Sequence, residues 1–282
     1  MSFARLGPVG SEVPVLQVDG VTFDLRSLTR DIDGEFLASG GIAAARAAHA
    51  AGTLPVLDST GLRVGAPIAQ PGKIVCIGLN YSDHAEESGL AIPSEPVVFM
   101  KDPTTLVGPY DELLIPRRST KTDWEVELGV VIARTARYLD SPADAAGVIA
   151  GYAVSHDVSE REFQLERTGQ WDLGKSCETF NPFGPELVPA DEIADPQSLG
   201  LRLWVNGVAR QNGTTATMIF PIEYVIWYLS QYMVLRAGDV VNTGTPAGVA
   251  LGRPDKPYLR PGDVVELEID GLGRARQLVG QA

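Results

Sequence analysis

The segment DWEVELGVVIA carries two acidic residues separated by one position. In an extended strand the side chains alternate, so Glu125 and Glu127 share one face while Val126 and Leu128 occupy the other. Two residues of rise put the two Cα atoms roughly 7 Å apart. Next to the apolar GVVIA run the carboxylates repel each other unless water or a cation stands between them; an exposed edge-strand face is the alternative. Further on, Asp157 ends the apolar strand GYAVSHD. As a third hard oxygen donor it would complete a partial set suited to Mg²⁺, which keeps positions for water and substrate. As a helix cap it would do no chemistry. If a helix starts just after Asp157, then Arg161 and Gln164, three positions apart, share a face. Lys175, in a loop flanked by Gly and Ser, offers a compact and movable cation, or is a plain surface lysine.

Two other segments carry functional groups. In GLNYSDHAEESG, His84 and Glu87 are three apart, so a helical turn would bring imidazole and carboxylate into hydrogen-bonding reach. A histidine oriented in this way is a general base for water. The stretch is framed by Gly78 and Gly89 and reads as a mobile loop rather than a packed helix. In NTGTPAGV, Thr243, Gly244 and Thr245 could offer N–H and hydroxyl groups to a carboxylate, or form a tight turn between strands. His156 alternates away from Asp157 and reads as structural. His49, in an Ala-rich helix, has no acidic or thiol partner nearby and reads as a packing or surface residue.

Strands must position these groups. KIVCIGL, PVVFMK, WEVELGVVIA, GYAVSHDV, LGLRLWVNG, DVVNTG and DVVELEIDG are short β-branched or alternating runs bounded by Gly, Pro, Asn and Asp. The pattern predicts a mainly β architecture of packed sheets with a few helices. Those helices are Ala143 to Ala150, a segment after Asp157, and Ile222 to Met233, where Ile222, Ile226, Leu229 and Met233 share a face. The first seventy residues, with VPVLQVDG, VTFDLRSL and IAAARAAHAA, read as a small α+β domain (1–70) joined through GAPIAQPGK to a larger one (71–282). The 282 residues carry 36 acidic and 23 basic side chains, a net charge of −13, which disfavours a nucleic-acid partner. With no long apolar run and no signal-like N-terminus, a membrane partner is disfavoured and the cytoplasm is the expected location. Cys76 and Cys177 lack metal-site spacing and read as two buried thiols.

Taken in order, these segments resemble the fumarylacetoacetate hydrolase superfamily from about Lys73 to about Gly252. IGLNYSDHAEE is similar to the segment with the catalytic His, WEVEL to the two-glutamate strand, and HDVSEREFQ to the metal-ligand Asp followed by Arg and Gln. LGKS resembles the active-site Lys loop and LRAGDVVNTGTPAGV the C-terminal carboxylate loop. The resemblance implies a mixed β-sandwich roll, a homodimer, and Glu125, Glu127 and Asp157 as ligands of a metal, usually Mg²⁺, with Mn²⁺ or Ca²⁺ compatible with the same set. It implies His84 with Glu87 as the water-activating dyad, Lys175 as a catalytic cation, and Arg161, Gln164, Gly244 and Thr245 as substrate contacts. The longer members carry an acidic ligand seven residues before the His, where this chain has Ile77. That favours the shorter branch, acting on acylpyruvates, diketo-deoxy sugar acids or oxaloacetate.

The expected reaction is hydrolysis of the C–C bond of a 2,4-dioxo acid through a metal-bound enolate. The same site without an attacking water would decarboxylate or tautomerise oxaloacetate, or isomerise a 2-hydroxyhepta-2,4-diene-1,7-dioate-type acid. A non-catalytic 2-oxo acid binding protein is the reading of another class.

Overall fold

A computed structural model describes residues 1–87 and 91–282, with His84 and Ala85 described through their backbone only. Its centre is a six-stranded sheet in the order Val188–Pro189, Ile149–His156, Val126–Ile132, Val240–Asn242, Ile74–Gly78 and Val97–Lys101. The central strand VELGVVI is buried at every position, which accounts for its nearly unbroken apolar run. Alternation sends its residues into two cores. Val126, Leu128, Val130 and Ile132 join one apolar cluster, while Val131 joins another with Cys76, Ala153 and Val240.

The first core is closed by a five-stranded sheet in the order Val208–Thr214, Gly200–Val205, Val264–Ile269, Gly273–Gln281 and Leu113–Ile115. Leu201, Leu203, Val205, Val265, Leu267 and Ile269 point inward from it, and the intervening residues are half-buried, the mark of a sheet with one wet face. The helix Ile222–Tyr232 covers the same core with Ile222, Val225, Ile226 and Leu229. The packed sheets with few helices expected from the strand pattern, and the mixed sandwich implied by the resemblance, are therefore the architecture found.

The second core is covered by the N-terminal residues: a three-stranded antiparallel sheet, Ser2–Leu6, Val13–Val18 and Val21–Asp24, and the helices Gly34–Ala38 and Gly41–Ala50. Phe3, Leu16, Leu25, Ile32 and Phe36 form one apolar cluster with Ile74, Phe99 and Val240 of the large sheet and with Phe183. Phe3 and Leu187 exchange backbone hydrogen bonds of 2.9 and 2.8 Å across this junction. His49 lies edge-on to Phe23 with ring centroids 4.8 Å apart, a packing role.

Several local expectations are corrected. Residues Pro142–Val148 form a 3-10 run, and Ile149 and Ala150 already belong to the following strand, because pairing with Val126–Ile132 takes over there. No helix starts directly after Asp157: a two-residue strand, Ser159–Glu160, intervenes and is followed by a π-helical turn, Glu162–Glu166. Ser82–Glu87 is a helix rather than a loop, and Gly89 lies outside the described residues. Cys76 is buried as expected, whereas Cys177 is only half-buried. Among the described residues no helix is long and apolar enough to cross a membrane.

Candidate active site

The antiparallel register builds the site. Ser155 pairs with Glu127 and His156 with Val126, so the next residue, Asp157, arrives opposite Glu125 and donates its N–H to the Glu125 carbonyl at 3.0 Å. Trp124, Val126 and Leu128 fill the core, which leaves Glu125 and Glu127 on the other face. The three acids are buried, and each offers a carboxylate oxygen within 4.8 Å of the others.

Three cations compensate part of this charge. Lys175 Nζ bridges Glu125 Oε2 at 2.7 Å and Asp157 Oδ2 at 2.8 Å. Lys101 Nζ, fully buried, bonds Asp157 Oδ1 at 2.5 Å and the Val158 carbonyl at 3.0 Å. Arg161 donates to Glu125 Oε1 at 2.6 Å, Asp123 Oδ2 at 2.8 Å and Gln164 Oε1 at 3.0 Å. Burial alone would lower the Lys175 pKa, but Asp157 and Glu125 outweigh it and hold the ammonium above its ordinary range. Arg161 is shifted the same way, Asp123 and Glu125 overcoming burial.

Glu127 is different. Among the described residues it makes no ion pair and accepts one hydrogen bond, from Gly244 N–H at 2.8 Å. Burial, then Asp157 and Glu125, push its pKa well above the usual carboxylate range. A buried acid beside two others, short of a counter-charge, fits a hard divalent cation, and an all-oxygen donor set suits Mg²⁺, Mn²⁺ or Ca²⁺. Glu125, Glu127 and Asp157 are the residues that would hold it.

Glu125 and Glu127 form the floor of a cavity of about 360 Å³, within the range of small-molecule sites; Asp157, bonded to Lys175, is not among its lining residues. Lys175, Arg161, Gln164 and Thr245 line it as well. Lys175 is the last residue of a short helix, Asp172–Lys175, and is held by two carboxylates rather than movable. Gln164 sits in the π-helical turn; with Oε1 accepting from Arg161, its amide nitrogen remains to donate. The Gly244 N–H is engaged by Glu127, and the Thr245 hydroxyl donates to the Val126 carbonyl at 2.9 Å and accepts from Gln211 at 2.8 Å. Both residues thus brace the two-glutamate strand. Gly244 has φ +97°, and a Cβ there would lie 2.8 Å from that of Asn80, so glycine is required for this approach.

Glu87 faces the cavity, and its carboxylate accepts from Gly248 N–H at 3.0 and 3.2 Å. The helix Ser82–Glu87 puts positions 84 and 87 one turn apart, but the His84 side chain lies outside the described residues. His156 is buried on the core side, with Nδ1 2.9 Å from Gln277 Oε1, and burial lowers its pKa to about 4, so it is a neutral core residue.

Two buried charges were not picked out in the sequence. Lys101 ends the apolar strand PVVFMK and gives no motif signal. Asp123 did give one: it continues the 123, 125, 127 alternation, and it accepts from Arg161 Nε and from the N–H groups of Ala250 and Leu251.

A mixed β-sandwich with three converging buried carboxylates defines a class, and comparison with known proteins gives it a family. The profile described as fumarylacetoacetate (FAA) hydrolase C-terminal matches residues 73–280, and the chain belongs to this family. A protein of Burkholderia multivorans provisionally named as a hydrolase is 49% identical over the full length of both chains. Among solved structures, a provisionally assigned HpcE protein from Mycobacterium smegmatis superposes with a TM-score of 0.90 at 35% identity, covering 100% of both chains. Maleylpyruvate hydrolase from Sphingobium sp. SYK-6, solved with manganese(II) and pyruvate, superposes with a TM-score of 0.81 at 26% identity over 100% of both chains.

Proposed function

We propose that the chain is a divalent-metal-dependent hydrolase that cleaves the C3–C4 bond of a 2,4-dioxo acid, releasing pyruvate and a carboxylic acid. The observation that carries this reading is the buried convergence of Glu125, Glu127 and Asp157, with Glu127 short of a counter-charge at the floor of a cavity sized for a small acid. The structural likeness to a hydrolase solved with manganese(II) and pyruvate supports it. A cation held there would supply Lewis-acid polarisation of the 2-oxo end of the substrate.

The chain's own residues do the rest. His84, one helical turn before Glu87, takes a proton from water, and the water oxygen bonds to C4. Glu87, fixed by Gly248 N–H, orients the imidazole. Lys175 uses two of its three donors on Glu125 and Asp157, so the third is available to the oxyanion at C4, together with the Gln164 amide. When the C3–C4 bond breaks, its electron pair stays on the pyruvate fragment as the enolate. Return of the proton from His84 to C3 balances the reaction: one water consumed, one acid and one pyruvate formed. The homodimer is part of the same proposal, and sedimentation velocity should return twice the chain mass.

A second reading is isomerisation of a hydroxymuconate-type diacid, favoured by similar structures named as such isomerases, at TM-scores of 0.79 and 0.83 with 29% and 30% identity. Hydrolysis in ¹⁸O-water separates the two. Cleavage of acetylpyruvate should place one ¹⁸O in the acetate, and His84→Ala should abolish it. Conversion of a 2-hydroxydienedioate without cleavage of any dioxo acid would overturn the hydrolytic reading.

A further inference from the structure

Above its charged floor the cavity is apolar on one side. Phe99 and Trp171 pack with ring centroids 5.3 Å apart at 59°, and Leu165 and Leu251 are further apolar residues of the lining. The wall is built by the backbone: a Cβ on Gly78 would meet Trp171 Cζ3 at 2.6 Å, so the indole lies directly on that glycine. It also adjoins the chemistry, since Lys175 Nζ stands 4.8 Å from the Phe99 ring centroid. A substrate whose oxo-acid end lies on the floor therefore extends its other end along this wall.

Among the described residues the lining offers no unengaged cation to receive a second anion there. The lining cations are Arg161 and Lys175, and each already bonds two buried carboxylates. Arg253, one residue beyond the lining Gly252, is not part of the lining; its Nε stands 3.5 Å from Asp255 without a hydrogen bond. A carboxylate buried against Phe99 and Trp171 would lose its water without gaining a counter-charge, and a run of hydroxyls would outnumber the donors of the Trp171 indole and the Gln164 amide, a penalty of about tenfold or more per unpaired group. Each methylene placed there gains a factor of about ten.

We propose that Phe99, Trp171, Leu165 and Leu251 form an acyl subsite that selects 2,4-dioxo acids whose C4 substituent is uncharged and apolar, alkyl or aryl. Those ending in a carboxylate or a polyol are rejected. This rests on the hydrolytic reading above and narrows its substrate class.

The test compares kcat/KM for acetylpyruvate, benzoylpyruvate, 2,4-dioxoheptanoate, its diacid counterpart 2,4-dioxoheptanedioate and a 2,4-dioxo-5,6-dihydroxy acid. Benzoylpyruvate and 2,4-dioxoheptanoate should exceed acetylpyruvate about tenfold or more, and 2,4-dioxoheptanoate should exceed its diacid counterpart about a hundredfold. Trp171→Ala should lower the benzoyl-to-acetyl ratio about tenfold. Leu165 is 43% exposed, so Leu165→Lys should fold, and the added cation should raise the diacid relative to the alkyl acid. A diacid or dihydroxy acid as the best wild-type substrate, or ratios unmoved in both variants, overturns the acyl-subsite proposal while leaving hydrolysis standing. No cleavage of any dioxo acid overturns the hydrolytic reading and this inference with it.

Discussion

Lys101 and Lys175 bracket Asp157 from its two oxygens, and neither cation touches water to any extent. In so dry a setting, removing one member of an ion pair strands the other. Lys101→Met is therefore expected to cost about 3–5 kcal/mol of stability. Urea unfolding of chelated protein measures this, and a loss below about 1 kcal/mol would show that Asp157 does not depend on Lys101. The same residue marks where sequence reading ends. Glu125, Glu127 and Asp157 stood out because a strand's two-residue period and a break from apolar to acidic have physical consequences visible in one dimension. Lys101 follows an apolar run as many surface lysines do, and its partner lies 56 residues away. For Gly244 and Thr245 the residue types suggested donors to a ligand. The structure turns one donor onto Glu127 and the other onto Val126, a difference that depends on loop direction and has no signature in composition.

At the scale of elements, the strand Val126–Ile132 and the loop after Val240–Asn242 form one device. The strand carries Glu127 to the cavity floor, and the loop crosses it closely enough for Gly244 N–H to fix the carboxylate. Gly244→Ala puts a Cβ 3.1 Å from the Ile77 carbonyl at a φ that side chains disfavour. The loop should shift, costing about 1–3 kcal/mol and weakening Mn²⁺ affinity about tenfold or more. Calorimetric titration with Mn²⁺ would show it; unchanged affinity would mean that Gly244 does not orient Glu127. Strands with alternating or continuous apolar runs were legible because burial on one face or two writes itself into sequence. The segment after Asp157 was not, since its polar residues fit a helix, a short strand or a π-helical turn equally well until Ser159 and Glu160 pair with Asp123 and Thr122.

Across the whole molecule, the two cores differ in how their parts are supplied. One lies between the sheets of the sandwich, while the other exists only because the N-terminal residues cover the opposite face of the six-stranded sheet. The Pro/Gly-rich stretch near residue 70 is visible in sequence as a composition change, but the shared core is not, because Phe3, Leu16 and Leu25 look alike whether they face each other or a distant sheet. A chain starting at Lys73 would expose Ile74, Cys76, Phe99 and Val240 to water and is expected to aggregate; a monodisperse, cooperatively unfolding product in size-exclusion and thermal scans would show instead that 71–282 folds alone. The central claim is that two alternate glutamates of one strand and the sequence-distant Asp157 hold one cation beneath the cavity. Loss of the free Mn²⁺ electron paramagnetic resonance signal on titration into chelated protein tests it directly. Wild type should bind one ion per chain, and Glu125→Gln, Glu127→Gln and Asp157→Asn should each weaken binding at least tenfold while keeping the wild-type fold by circular dichroism. Binding at wild-type strength in all three variants would contradict the account.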